Sequence, residues 1–189
     1  KYSLNTEWVL WYHSINDTQW NKQSYKNLFT ITNLYELKII NDNLLKNHLQ
    51  NGMYFIMRDG IFPTWEDPDN REGCCISFKI SGRVLHEEWN FIINRILTED
   101  ILKDRNKYEL INGVSIAPKK EFNILKIWLR EHNDKYTDYL KEYEPHFVKE
   151  KALGQKVLTA VQPGQLLTKI MKDVACFETV GVPVRIIIV

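Results

Sequence analysis

An α+β fold in a single domain, residues 1–189, is what the sequence predicts, on three observations. Segments with a two-residue apolar period, which suit strands, are segregated from segments with helical spacing, whereas a doubly wound α/β sheet alternates the two regularly. No long Gly/Ser-rich or Pro-rich stretch interrupts the 189 residues, a length that buries one substantial core. Six tryptophans exceed what such a core ordinarily needs, so part of the aromatic content is left for another task.

The first strand runs from Glu7 to His13, where Trp8, Leu10 and Tyr12 alternate with Val9, Trp11 and His13 and give it two different faces. A polar turn then leads to Trp20. Between Thr32 and Ile40, Leu34, Leu37 and Ile40 recur at helical spacing with Tyr35 alongside, and Thr32 is placed to cap that helix. Met53 to Met57 and Cys75 to Ile80 read as strands on either side of the loop that holds Trp65. Asp59 and Gly60 make its first turn, so the tryptophan belongs at a sheet edge or rim. His86 to Leu97 carries Trp89, Ile92, Ile93, Ile96 and Leu97 on one face, an amphipathic helix that packs on the sheet. Gly113 to Ala117 and Ile124 to Arg130 form a hairpin around the basic turn Pro118-Lys119-Lys120-Glu121, with Ile124, Lys126, Trp128 and Arg130 on one face. Tyr136, Tyr139, Leu140 and Tyr143 predict a helix over Asp134 to Glu144, and Leu166, Leu167, Ile170, Met171 and Val174 another after Pro163-Gly164. The branched residues from Val182 to Val189 predict a buried closing strand.

Charge and cysteine usage exclude several function classes. With 25 basic and 24 acidic residues the formal charge is +1, too little for generic adhesion to duplex nucleic acid, so any nucleic-acid contact is local. Three cysteines, two of them adjacent as Cys74-Cys75, make neither an even disulfide framework nor a C-x-x-C zinc site, and are expected to be reduced and buried. No apolar run is long enough to span a membrane and no signal-like N-terminus is present, which favours a soluble, cytoplasmic monomer without membrane contact, metal or cofactor. A first residue other than Met implies a preceding segment.

The most informative run is Gly60-Ile61-Phe62-Pro63-Thr64-Trp65-Glu66-Asp67. A Pro-containing loop gives Trp65 little reason to be core, and the neighbouring Glu66 adds carboxylate acceptors to an aromatic face. Trp20, among polar residues, supplies a second face. Two indoles and one acid suit a flat, electron-poor ligand with N–H donors, and a positively charged methylated guanine meets that description. The ring and exocyclic N–H groups of guanine match the acceptors of Glu66, whereas adenine leaves acceptor capacity unpaired. Trp8 on its strand and Trp89 on its helix read as core; Trp128 fits a core position too, but it shares its face with Lys126 and Arg130, which favours a polar groove. An enzyme using Glu66 and Asp67 as paired carboxylates finds no further support. The sequence offers no Gly-rich phosphate loop, metal-ligand cluster or nucleophile and base pair, and its histidines, His13, His48, His86, His132 and His146, lie in unrelated contexts.

W-V-L-W-Y at Trp8 to Tyr12, Asp17-Thr18-Gln19-Trp20, T-I-T-N-L-Y-E-L at Thr30 to Leu37 and G-I-F-P-T-W-E-D, with Asn70 and Gly73 following, occur in that order. The Trp89 helix, the strand Ile124 to Trp128 and G-V-P-V-R-I-I-I at Gly181 to Ile188 complete the series. In these residues the sequence resembles the mRNA cap-binding translation initiation factor 4E family over most of its length. Glu131 to Pro163 has no clear counterpart and reads as a helical insertion, residues 131–163.

The resemblance implies a curved antiparallel sheet with helices on its convex face and a 7-methylguanosine cap on the concave side. It places Trp20 and Trp65 on either side of the methylated base, Glu66 on its Watson–Crick edge and Trp128 against the N7-methyl group. Where the family holds the triphosphate bridge with three basic residues, this chain has Cys75, Ala117 and Ile124, so Lys119, Lys120 and Lys126 are the substitutes, with Arg71 more distant. A partner is implied as well, a peptide of the scaffold factor 4G or of a repressor, docked on the helical face through Leu4 with Tyr2, Ile31 and Tyr35. Asn90 and Asn94 stand where the family shows leucines, and a polar patch weakens a helix-in-groove contact. The implied function is recruitment of capped mRNA for translation initiation, without catalysis; the alternative is a cap-binding repressor that does not dock the scaffold factor. The density of Asn, Lys and Ile fits an AT-rich genome, such as that of a protist or a large DNA virus.

Overall fold

In the computed structural model, strand β1 (Ser3–His13) sets the pattern of the sheet. Trp8 and Leu10 are buried on one side with Tyr12 packed against them, and Trp11 and His13 face the other side. The structure describes residues 2–132 and 139–141, all within the compact unit Lys1–Thr159. The helix expected after Pro163-Gly164, the closing strand from Val182 and most of the 131–163 insertion lie outside the described residues. Of the helix expected over Asp134 to Glu144 only 139–141 are described, and they are not helical: Leu140 forms an isolated antiparallel bridge with Leu102 and is buried in the core, so an extended pairing replaces the helix there.

The further strands are β2 (Tyr25–Asn33), β3 (Met53–Arg58), β4 (Cys74–Ile80), β5 (Ile111–Pro118) and β6 (Asn123–Leu129). They form one antiparallel sheet in the order β2-β1-β3-β5-β6-β4. Three helices, α1 (Leu34–Asn43), α2 (Lys46–Asn51) and α3 (Leu85–Leu97), bury Leu37 and Ile40, Leu49, and Trp89, Ile92, Ile93 and Ile96 in one layer with Trp8, Ile56, Val114 and Ile127. A second cluster, Tyr25, Met53, Phe55, Met57, Ile61, Cys75 and Trp128, contains no helical residue. The expected α+β class is therefore observed, with a helix-covered face and an open face, and both Trp8 and Trp89 are core at 0% exposure. Cys74 and Cys75 are buried free thiols, as expected; Cys176 lies outside the described residues.

Local departures from the sequence reading have physical causes. Asn33, not Thr32, caps α1: its backbone is extended (φ −152°, ψ 167°) and its Oδ1 accepts from the Tyr35 and Glu36 N–H groups. Thr32 is instead bound by Glu36, whose Oε2 accepts from both the Thr32 N–H (2.6 Å) and its hydroxyl (2.7 Å), one residue before the N–H that a capping box engages. Strand β2 is a sheet edge with only Tyr25 and Ile31 buried, so it lacks the alternation that reveals a half-buried strand. Helix α2 buries Leu49 alone and has too few turns to display a period.

One buried cation ties these parts together. Arg58 ends β3 directly opposite Trp8 in β1, and its guanidinium lies over the Trp8 ring, 4.4 Å from the centroid. Its Nε donates to the Ile111 carbonyl at 3.1 Å and its Nη2 to the Tyr108 carbonyl at 3.0 Å. Its Nη1 donates to the Thr6 hydroxyl and pairs with Glu99 at 3.5 Å. Glu99 follows α3 in the left-handed region, φ 58°, and also accepts from the Asn5 amide. Removing one side of a buried charged network leaves its partners unsatisfied. Arg58→Ala is therefore expected to lower unfolding free energy by roughly 3 kcal/mol in urea titration; a loss below about 1 kcal/mol would mean that water or neighbouring side chains replace its bonds.

Candidate functional site

The backbone of the loop between β3 and β4, which carries Trp65, is anchored by buried polar side chains. Gly60 takes φ +83°, which turns the chain away from β3. Asp67 Oδ2 then accepts from the Phe62 N–H at 2.9 Å and its Oδ1 from the Asp69 N–H at 3.0 Å. Asn70, 1% exposed, donates to the Phe62 and Thr64 carbonyls at 2.9 Å each. Its Oδ1 accepts from Asn112 of β5 at 3.0 Å, and Asn112 also donates to the Asp69 carbonyl at 2.7 Å. Gly73 closes the loop where a Cβ would sit 1.8 Å from the Leu129 carbonyl oxygen, so β4 starts against β6 at a distance no side chain permits.

These constraints lay Trp65 on Trp128, with ring centroids 4.5 Å apart and planes 29° from parallel. Trp128 comes from the open face of β6 and is 4% exposed; its Nε1 donates to the Ser115 hydroxyl of β5 at 2.9 Å. Phe55 meets Trp128 at 6.5 Å and Tyr25 at 5.6 Å, and Tyr25 meets Trp20 at 6.3 Å, so the two candidate indoles lie at the ends of one chain of rings. Trp20, 42% exposed, stacks on His13 at 4.2 Å with planes 4° apart. In this state Trp20 and Trp65 each stack on a neighbour, His13 and Trp128, and the expected sandwich is not assembled. Trp128 lies beneath Trp65 in this state and is covered by it.

Glu66 is exposed beside Trp65. Its charge is felt at Tyr25, whose phenol is pushed up to about 12, first by burial and then by Glu66. An acid, a phenol and the aromatic chain therefore share the open face.

Of the three expected phosphate ligands, two are brought together. Lys126 lies 5.8 Å from the Trp65 ring centroid, and Lys119 is half-buried, its ammonium pushed below the usual lysine range by burial and by the Lys126 charge. Lys120, on the same turn, is exposed. Cys75 is fully buried beside Trp128, its register partner across β4 and β6, and burial drives its thiol well above its ordinary range, so it offers no charge to an anion. Arg71 pairs with Glu72 at 3.8 Å, and Arg130 with Asp69 at 3.6 Å, which makes Arg130 part of the loop anchor rather than of a groove.

A sequence model described as Eukaryotic initiation factor 4E matches residues 3–150, more than half of the chain. The chain belongs to the initiation factor 4E family. An initiation factor 4E homolog of Acanthamoeba polyphaga mimivirus is 28% identical over 135 residues, 60% of this chain and 50% of that one. Initiation factor 4E of Saccharomyces cerevisiae is 26% identical over 140 residues, 70% of this chain and 64% of that one. The chain thus spans between half and two thirds of these relatives. Among solved structures, Ascaris suum eIF4E-3 with an m7G cap superposes with a TM-score of 0.63 at 18% identity, covering 71% of this chain and 77% of that one. Caenorhabditis elegans eIF4E-3, in complex with the 4E-binding protein Mextli and a cap analog, gives 0.62 at 18% identity, covering 69% and 75%. Both share the fold.

Within this family member the three expected partner residues separate. Tyr35 is 74% exposed at the start of α1, and Leu4 is partly buried against the core. Ile31, which the sequence reading assigned to a partner surface, is instead 0% exposed: it pairs with Trp8 across β1 and β2 and points into the helix-covered core, where a peptide has no access. Sequence reasoning missed His13 and Tyr25 as supports of Trp20. The alternation of β1 already put His13 on the open face with Trp11, but only β2 pairing brings Tyr25 beside it. Asn70→Ala is expected to cost roughly 2–3 kcal/mol by leaving two carbonyls and the Asn112 amide short of a partner. It should also shift tryptophan emission as Trp65 leaves Trp128; unchanged emission would disconnect the Asn70 strut from the stack.

Proposed function

We propose that this chain binds the 7-methylguanosine cap of mRNA and recruits capped mRNA for translation initiation. The observation that carries this reading is the joint placement of Trp65, exposed Glu66, Trp128 and Lys126 on the open face, with Trp20 at the far end of the same chain of rings. Trp20 keeps His13 on one side and offers the other to the base. Trp65 leaves Trp128 to take the opposite side of the base, and the uncovered edge of Trp128 meets the N7-methyl group. Stacking supplies roughly 1–3 kcal/mol per base, and the cationic ring adds a cation–π contribution that plain guanine lacks. Glu66 accepts from the Watson–Crick edge, and Lys119 and Lys126, with Lys120 further out on the turn, meet the triphosphate. Binding, not catalysis, is what acceptors, ammonium groups and indoles of this kind support.

Titration with 7-methylguanosine triphosphate, followed by tryptophan quenching, tests the reading; equal affinity for GTP overturns it. Glu66→Ala is expected to weaken binding roughly 10-fold to 100-fold, the range for hydrogen bonds to a charged group. Lys126→Ala is expected to act mainly on salt dependence, lowering the slope of log affinity against log salt by about 0.7, the single-strand value per phosphate contact. A slope identical to wild type would remove Lys126 from the phosphate site.

The repressor reading is favoured by one feature of the helical face. Asn41 of α1 donates to Asn94 of α3 at 2.8 Å and Asn90 bonds nearby, so polar groups occupy the seam between the helices beside exposed Leu34 and Tyr35. Pull-down with a peptide of the scaffold factor 4G type separates the two, tight binding excluding the repressor.

A further inference from the structure

His13 is fully buried, yet both of its ring nitrogens face carbonyl oxygens. Nδ1 lies 2.9 Å from the Ser14 oxygen and Nε2 lies 2.9 Å from the Gln19 oxygen. A neutral imidazole carries one N–H and one lone pair, so it satisfies one carbonyl and turns its lone pair on the other; an imidazolium donates to both. The two carbonyls open and close the turn from Ser14 to Gln19, and the next residue, Trp20, stacks flat on the same imidazole at 4.2 Å. The ring therefore grips the turn at both ends and the indole by its face.

The groups around the imidazole leave this grip to its own proton. Tyr25 of β2 meets the ring edge at 4.8 Å and is held neutral by burial and by Glu66. Met53 is its uncharged register partner in β3. Asp17 is the carboxylate of the turn, and its Oδ1 is engaged by the Gln19 N–H at 2.9 Å. Lys22 lies over Phe62 rather than over His13.

We propose that His13 is a positioning residue for Trp20 and that proton uptake by its imidazole orders the turn from Ser14 to Gln19, coupling the presentation of Trp20 to pH. The protonated ring makes both bonds and fixes the indole. Loss of the proton sets a lone pair against one carbonyl and releases that end of the turn. Coupling of this kind is reciprocal, so a ligand that stacks on the fixed Trp20 also favours the protonated His13. The effect on ligand affinity rests on the base-stacking reading of Trp20; the coupling of turn to proton does not.

NMR of the ligand-free wild-type protein, between about pH 5 and pH 8 where histidines titrate, is the test. The Trp20 indole N–H resonance, identified by its loss in Trp20→Phe, is followed together with the His13 ring nitrogens. The expected result is a Trp20 resonance that shifts or broadens in step with the His13 proton. It stays invariant in His13→Phe, which keeps a stacking ring but neither N–H. A wild-type Trp20 resonance that ignores the His13 titration overturns the coupling, however well the variant folds. With 7-methylguanosine triphosphate, the wild type is expected to bind about threefold to tenfold more tightly than His13→Phe in acid, the value of one hydrogen bond, and this ratio narrows as pH rises. The titration of the ligand itself cancels in the ratio, and a ratio that does not change with pH overturns the role in ligand binding. A pH-coupled Trp20 resonance in a wild type that binds no cap analogue supports the coupling and overturns the cap reading alone.

Discussion

Alternation of side chains across a single sheet, unbroken along β1 from Trp8 and along β6 and interrupted by register shifts where β1 meets β2 and β5 meets β6, is the constraint on which the rest of this structure depends. Along β6, Leu125, Ile127 and Leu129 enter the helix-covered core, and Lys126 and Trp128 emerge on the other side. Along β1 the same rule sends Trp8 and Leu10 to the helices and Trp11 and His13 to the open face. A one-residue slip in either strand would drive Lys126 or His13 into the helix-covered core and expel a core leucine, so register is enforced by burial on both sides. The stability of the helix-covered layer thus fixes the geometry of the opposite face, and the residues that could touch a ligand need little packing of their own.

Irregular segments are handled differently, by buried polar side chains. Asn70 and Asn112 pin the Trp65 loop from beneath through backbone carbonyls, and Arg58 binds the ends of β3 and β5 to the residues after α3. Such groups give direction as well as energy, because each satisfied bond is costly to leave unmade. An aliphatic side chain at position 70 would fill space without telling the loop where to put Trp65. The loop can therefore present a large indole at a sheet rim without a helix or strand to carry it.

Legibility in the sequence followed the same division. The alternation of Trp8 to His13 and of Ile124 to Trp128, and the helical stripe around Trp89, were readable because each repeats one physical period over several residues. The edge strand β2 was not, since exposed and part-buried residues follow one another without a two-residue period, and Ile31, which the resemblance put on a partner surface, is buried opposite Trp8. Trp20, Trp65, Glu66 and Trp128 were legible as a set, but not their resting partners. Stacking of Trp20 on His13 and of Trp65 on Trp128 depends on turns and on neighbours distant in sequence, and no local pattern encodes either.

On the base-stacking reading of Trp65, its stack on Trp128 makes the protein its own intramolecular competitor. A ligand that needs Trp65 free binds only the fraction of molecules in which the stack is open, so its apparent dissociation constant is the intrinsic one divided by that fraction. The ratio between a methylated and an unmethylated guanine is untouched by this division, but both curves move to higher concentration together. An indole stack that is open about one time in ten thus raises every apparent dissociation constant about tenfold. In this way a contact between two residues of the same chain sets a threshold on what the open face retains.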